Sequence, residues 1–110
     1  GTYEYMAPEI VNNENYDMGV DVWSLGILLY ELVNGRSPFA ARTGKDVIKK
    51  INQHNIVYQK NVSEELKELV SSLLETDPDK RIKVKDILSS KFISKYSNFL
   101  YRRPREAAVK

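Results

Sequence analysis

Residues Asp21 to Gly35 read DVWSLGILLYELVNG. Val22, Trp23, Leu25, Ile27, Leu28, Leu29, Tyr30, Leu32 and Val33 leave this run almost no polar face. It is too long for a comfortable single strand. It is also too short and too interrupted to span a bilayer, which takes about 20 consecutive apolar residues. The run therefore predicts a helix, with Gly35 as its stop, because glycine tolerates the left-handed conformation that commonly closes helices. A helix apolar all round has to be surrounded by protein. The rest of the chain offers only a few short helices, so the run predicts a central helix whose neighbours lie partly outside this sequence.

The flanking segments read as small helices and loops. After Gly35, the stretch RSPFAARTG is a loop by its proline and small residues. Thr43 can cap a helix over about 44–54, with Val47, Ile48 and Ile51 on one face. His54 and Asn55 end it. Ser63 caps a second helix, with Glu64 and Glu65 in the first turn, where the helix dipole favours negative charge. Leu66, Leu69, Val70, Leu73 and Leu74 then recur as a clean inward stripe. Asp77-Pro78 is expected to stop it. A last short helix is expected over roughly 84–90, with Ile87 and Leu88 inward and Phe92 and Ile93 docked beside it. On the N-terminal side, Pro8 suits a first helical turn, so Ala7 to Asn12 reads as one or two turns preceded by an extended loop. No strand is expected, and the fold class is all-α.

Composition narrows the function classes. The 110 residues suffice for one domain, and no cysteine is present to form disulfides or thiolate metal sites. His54 is the single histidine, which excludes a zinc site with several histidine ligands. No signal peptide is visible. Residues 1–90 hold 11 Lys and Arg against 14 Asp and Glu, whereas residues 91–110 hold six against one. The basic character sits in the tail, which includes Arg102, Arg103 and Arg105. It reads as a solvated, disordered end, or as a contact for acidic partners, RNA or a membrane surface. A nucleic-acid partner or a membrane is not expected for the chain as a whole.

Three stretches, GTYEYMAPE, DVWSLGILLYELVNGRSPF and DPDKR, occur in this order at the spacings of the C-terminal lobe of a eukaryotic protein kinase. The chain resembles the segment from the end of the activation loop to the end of the catalytic domain. Residues 1–94 are expected to form that part of the lobe and 95–110 the basic tail. The resemblance makes Gly1 a cut end inside a longer protein, with the N-lobe and the catalytic loop upstream. Within the family, YDMGVDVWSLGILLYELVNGRSPF and NVSEELKELVSSLL resemble the Aurora-type kinases, and calcium/calmodulin-type kinases share much of this pattern.

The resemblance assigns roles residue by residue. Met6-Ala7-Pro8-Glu9 matches the Ala-Pro-Glu element that closes the activation segment. It implies that Glu9 pairs with Arg81 in a buried carboxylate–guanidinium contact. The loop formed by Thr2, Tyr3, Glu4, Tyr5, Met6 and Ala7 would shape the pocket for the substrate residue just after the phosphorylated one. Thr2 would sit near the catalytic aspartate and lysine, and Gly1-Thr2 with Tyr5 points to the Ser/Thr class. Asp21 would accept backbone N–H bonds from the catalytic loop, or serve locally at the start of its helix. Trp23 would pack under the activation segment. Pro8, Glu9, Asp21, Trp23, Gly26 and Arg81 are thus expected as structural residues.

Phosphoryl transfer needs a glycine-rich loop, a strand lysine, a catalytic-loop aspartate and a metal-binding aspartate. No Gly-x-Gly-x-x-Gly, H-R-D or D-F-G occurs here. No catalytic or metal-binding residue is therefore expected in this stretch, and Mg-ATP is implied for the parent kinase only. The parent is expected inside the cell, in cytoplasm or nucleus, acting on a protein substrate. The other readings are a pseudokinase lobe serving as an interaction scaffold, and a free-standing helical adaptor. The nearly non-polar central helix argues against the adaptor.

Overall fold

Trp23 is completely buried, and the chain is organised around it. The computed structural model describes residues 2–59 and 61–95; the basic tail beyond Lys95 lies outside the described residues, as do Gly1 and Lys60. A 3-10 turn over Thr2–Tyr5 leads into α1 (Pro8–Val11). The central helix is α2 (Gly19–Asn34), followed by α3 (Gly44–Gln53), α4 (Glu64–Leu73) and α5 (Val84–Ile87). A further helical stretch covers 91–95, and no strand occurs among the described residues. No helix among them is long and apolar enough to cross a membrane.

The local signals act as read. Gly35 closes α2 at φ 84°, and its N–H returns to the Glu31 carbonyl. Thr43 and Ser63 each cap their helix by accepting the backbone N–H three residues on, from Asp46 at 3.1 Å and Leu66 at 3.2 Å. Pro8 occupies the first turn of α1, where its missing N–H costs nothing.

Helix α2 is covered on one side only. Val22, Trp23, Gly26, Ile27, Tyr30 and Asn34 are buried, while Leu25, Leu28, Leu32 and Val33 stay exposed, Leu32 at 74%. The covered side meets α4 at very close range. A Cβ at Gly26 would lie 2.8 Å from Leu73 Cβ and 2.8 Å from Leu74 Cδ2, so only glycine lets the two helices approach this far. The main core gathers Trp23, Ile27, Phe39, Ile51, Val70 and Leu74, and Val22, Leu69 and Leu73 form a second cluster beside it. Trp23 stacks on Phe39 at 5.8 Å between ring centroids.

Three expectations need correction. The segment before Ala7 is a 3-10 turn rather than an extended loop, closed by the Met6 N–H on the Tyr3 carbonyl at 3.1 Å. Leu88 does not point inward; it is 73% exposed. The helix there ends at Ile87, and Ile87, Phe92 and Ile93 cover the second cluster without it. Helix α4 ends at Leu73, several residues before Pro78. The carbonyls of Glu75 and Thr76 turn instead toward Arg81.

Candidate functional site

Arg81 fixes the geometry of the N-terminal segment. A guanidinium carries five N–H donors, and here each finds an acceptor. Nη1 donates to Glu9 Oε2 at 2.7 Å and to the Gly19 carbonyl at 2.9 Å. Nη2 donates to Glu9 Oε1 at 3.0 Å and to the Thr76 carbonyl at 3.3 Å. Nε donates to the Glu75 carbonyl at 2.9 Å. Glu9 and Arg81 are both buried and lie 72 residues apart in sequence. The bidentate geometry binds α1, the start of α2 and the turn after α4 into one unit. The guanidinium also lies 5.2 Å from the Trp23 ring centroid, within range of a favourable contact with its π face.

This unit carries the Thr2–Ala7 segment. Ala7 is fully buried and extended, at φ −67° and ψ 156°. Upstream of it, the turn is pinned to α2 twice. Ser24 Oγ donates to the Tyr5 carbonyl at 2.9 Å, and Tyr5 Oη donates to Glu31 Oε2 at 2.6 Å. The bond to the Glu31 carboxylate raises the Tyr5 phenol above its ordinary value of 10.0, with desolvation adding to it. The phenol therefore stays protonated and donating at neutral pH. Tyr3 leans on α3: a Cβ at Gly44 would come within 3.0 Å of its ring. Its own ring remains 48% exposed. Glu4 and Met6 are half-buried, and Thr2 opens the turn, its side chain lying outside what the structure describes.

The remaining residues singled out in sequence fall into two groups. Trp23 and Gly26 lie in the packed side of α2, and the buried Trp23 Nε1–H meets no acceptor among the described residues. Asp21 lies in the first turn of α2, exposed, and its carboxylate meets no partner among the described residues. Among the described residues, no side-chain hydrogen bond or ion pair ties it to the Thr2–Ala7 turn.

Sequence reasoning missed Glu31 and Ser24, and it read His54 as a helix end without its tertiary contact. His54 closes α3 in the left-handed region at φ 52°, and its Nε2 lies 2.6 Å from the Leu74 carbonyl, so that nitrogen carries the donated hydrogen. Its ring rests 6.1 Å from Trp23 and 6.4 Å from Phe39. Glu31 did have a signal: it is the only charged residue inside the apolar run after Asp21.

Chemically, the arrangement presents a firmly held turn with one exposed aromatic ring. Among the described residues, no group of His, Asp and Glu could hold a metal ion.

Comparison with known proteins agrees in one direction. The protein kinase domain matches residues 1–93. The Aurora kinase of Dictyostelium discoideum is 41% identical over 98 residues, which are 89% of this chain and 26% of that protein. Aurora kinase A-B of Xenopus laevis is 39% identical over 97 residues, 88% of this chain and 24% of its own length. An Aurora kinase of Encephalitozoon cuniculi is 39% identical over 98 residues, 87% of this chain and 36% of that protein. The chain thus spans well under half the length of these relatives. Its all-helical fold and the match across residues 1–93 lead to one assignment: the chain belongs to the protein kinase family, and within it is similar to the Aurora kinases.

Proposed function

We propose that this chain forms the substrate-facing part of the C-terminal lobe of a protein serine/threonine kinase. The whole protein would transfer the γ-phosphoryl group of Mg-ATP to a serine or threonine of a protein substrate inside the cell. The observation that carries the reading is the Thr2–Ala7 turn, pinned on α2 through Ser24 and Glu31 and anchored behind Ala7 by the Glu9–Arg81 pair. Catalysis by positioning needs such a surface, because phosphoryl transfer leaves the protein little covalent chemistry to perform.

In this reading, residues 1–94 are the lobe segment and each part has a distinct task. Thr2 faces the reacting hydroxyl, and Tyr3 to Ala7 shape the pocket for the next substrate residue. Asp21, exposed and without a partner among the described residues, receives backbone N–H groups of the catalytic loop. The uncovered side of α2, with Leu25, Leu28 and Leu32, packs against the rest of the kinase domain. Residues outside this chain hold Mg-ATP, which supplies the phosphoryl group. They also provide the base that takes the proton of the substrate hydroxyl.

The test is phosphate transfer from labelled ATP by the full protein, read by phosphoamino-acid analysis. The expected outcome is label on serine and threonine, with Thr2→Ala lowering kcat more than it weakens ATP binding. A full protein that binds its partners but transfers no phosphate would replace the kinase reading with that of a pseudokinase scaffold.

A further inference from the structure

Charge in this chain is segregated. Residues 36–50 contain Arg36, Arg42, Lys45, Lys49 and Lys50 against Asp46 alone, while the rest of residues 1–90 holds 6 Lys and Arg against 13 Asp and Glu. Four of these cations line one concavity. It is a cleft of about 690 Å³ between the 36–42 loop and α3, walled by Arg36, Ala40, Arg42, Asp46, Lys49 and Lys50 among others. The volume falls in the roughly 300–1,000 Å³ range typical of ligand pockets. Lys50 Nζ donates to the Ala40 carbonyl at 2.6 Å and so ties the two walls together. Among the described residues, none of Arg36, Arg42, Lys49 and Lys50 forms an ion pair. A solvated surface usually intersperses both signs; this one gathers four cations from two elements into a hollow whose described wall holds a single acid, Asp46.

We infer that the cleft between the 36–42 loop and α3 binds an acidic peptide segment of a partner protein, its Asp or Glu carboxylates set against Arg36, Arg42, Lys49 and Lys50. The cations come from both walls of the cleft, Arg36 and Arg42 from the loop and Lys49 and Lys50 from α3, which suits a run of carboxylates. Nucleic acid fits less well. The cleft has no aromatic side chain on which a base could stack, and the acidic remainder of the body repels an extended polyanion. Ala40 and its neighbour Ala41 contribute only small side chains to the lining, which leaves room for a peptide backbone. The site goes beyond the proposed kinase role. Tyr3 of the substrate-facing turn touches α3 at Gly44, so a docked segment would lie on the helix that also supports that turn.

The experiment measures fluorescence anisotropy of a fluorescein-labelled peptide of alternating glutamate and serine, titrated with the full protein. The same peptide with glutamine for glutamate and a single-stranded DNA of equal charge serve as competitors. The expected result is saturable binding that weakens with salt, with the glutamine peptide about ten-fold weaker and DNA weaker still. Arg42→Glu and Lys49→Glu should each weaken binding about five-fold or more. Lys45→Glu, the same charge change on α3 but outside the cleft, should change it less than about two-fold. Arg42, Lys45 and Lys49 are exposed and make no ion pair among the described residues, so these variants are expected to fold. Absence of binding, equal binding of the glutamine peptide, tighter binding of DNA, or an equal loss in Lys45→Glu would each overturn the inference. None of these readings depends on phosphate transfer, so the kinase proposal stands or falls separately.

Discussion

Glu9 and Glu31 both hold the N-terminal segment against the helical body, and they do so in different surroundings. Glu9 is 1% exposed, and both its oxygens meet a single guanidinium. Glu31 is half-buried and meets a phenol through one oxygen at 2.6 Å. A buried carboxylate is tolerated only when its charge is matched and its lone pairs are filled. A half-buried one keeps water on its free side and can lose its partner cheaply. The chain therefore places its irreversible commitment behind Ala7 and its adjustable contact in front of it, where the proposed substrate surface lies.

The largest effect should come from breaking the buried pair. Arg81→Ala leaves the Glu9 charge uncompensated and orphans the carbonyls of Gly19, Glu75 and Thr76. A loss of about 3–5 kcal/mol is expected in urea unfolding of the protein. The double substitution Glu9→Met with Arg81→Met should cost less than the sum of the two single ones, because the stranded charge is gone. Strict additivity in that cycle would mean that the pair is not coupled, and the contrast with Glu31 would collapse.

Gly26→Ala should come next. The new methyl would sit 2.8 Å from Leu73 Cβ, an atom attached directly to the α4 backbone, so α4 itself has to move. Overpacking of this kind costs about 1–3 kcal/mol. Because α4 leads into the Glu75 and Thr76 carbonyls that hold Arg81, the shift should loosen the Glu9 anchor. It should leave the Tyr5–Glu31 contact intact. Hydrogen exchange reads both ends at once: faster exchange is expected at the Arg81 amide, which bonds the Asp77 carbonyl, and unchanged exchange at Met6.

The sequence carried the local parts of this arrangement more fully than the tertiary ones. Thr43, Ser63 and Gly35 act within three or four residues of themselves, so their roles follow from local chemistry. The inward stripe of α4 follows from helical spacing, and Leu66, Leu69, Val70, Leu73 and Leu74 are all buried. Leu88 was misplaced because spacing assumes that a helix continues, and this one ends at Ile87. The approach of Glu9 to Arg81 was expected from a resemblance to protein kinases; nothing in the spacing of two charges 72 residues apart could supply it. Glu31 is a lone carboxylate in an apolar run, a signal that marks the residue but not its partner. The partner is set by how the Thr2–Tyr5 segment folds back as a 3-10 turn, where the sequence predicts an extended loop. The basic cleft was hidden for the same reason, since Arg36 and Arg42 meet Lys49 and Lys50 only once the loop folds against α3.

The smallest effect should appear at Tyr5, and only at high pH. In the folded protein the Tyr5 phenol is held protonated, above its ordinary value of 10.0, by its bond to the Glu31 carboxylate. The folded state therefore binds more protons than the unfolded state once the pH exceeds that ordinary value. Stability from this contact is fully present below pH 10.0 and is lost as the pH rises through the folded-state value. Tyr5→Phe removes the titration, so its stability should fall less steeply than that of the unsubstituted protein on the alkaline side. Tyr30, raised by burial, contributes the same slope to both and cancels in the difference. Glu31→Gln keeps an acceptor but removes the charge, and should give an intermediate slope. In all three proteins Ser24 still holds the Tyr5 carbonyl, so the turn should keep its place at neutral pH. Identical alkaline slopes for Tyr5→Phe and the unsubstituted protein would show that the phenol gains nothing from Glu31, and the pin in front of Ala7 would then reduce to Ser24 alone.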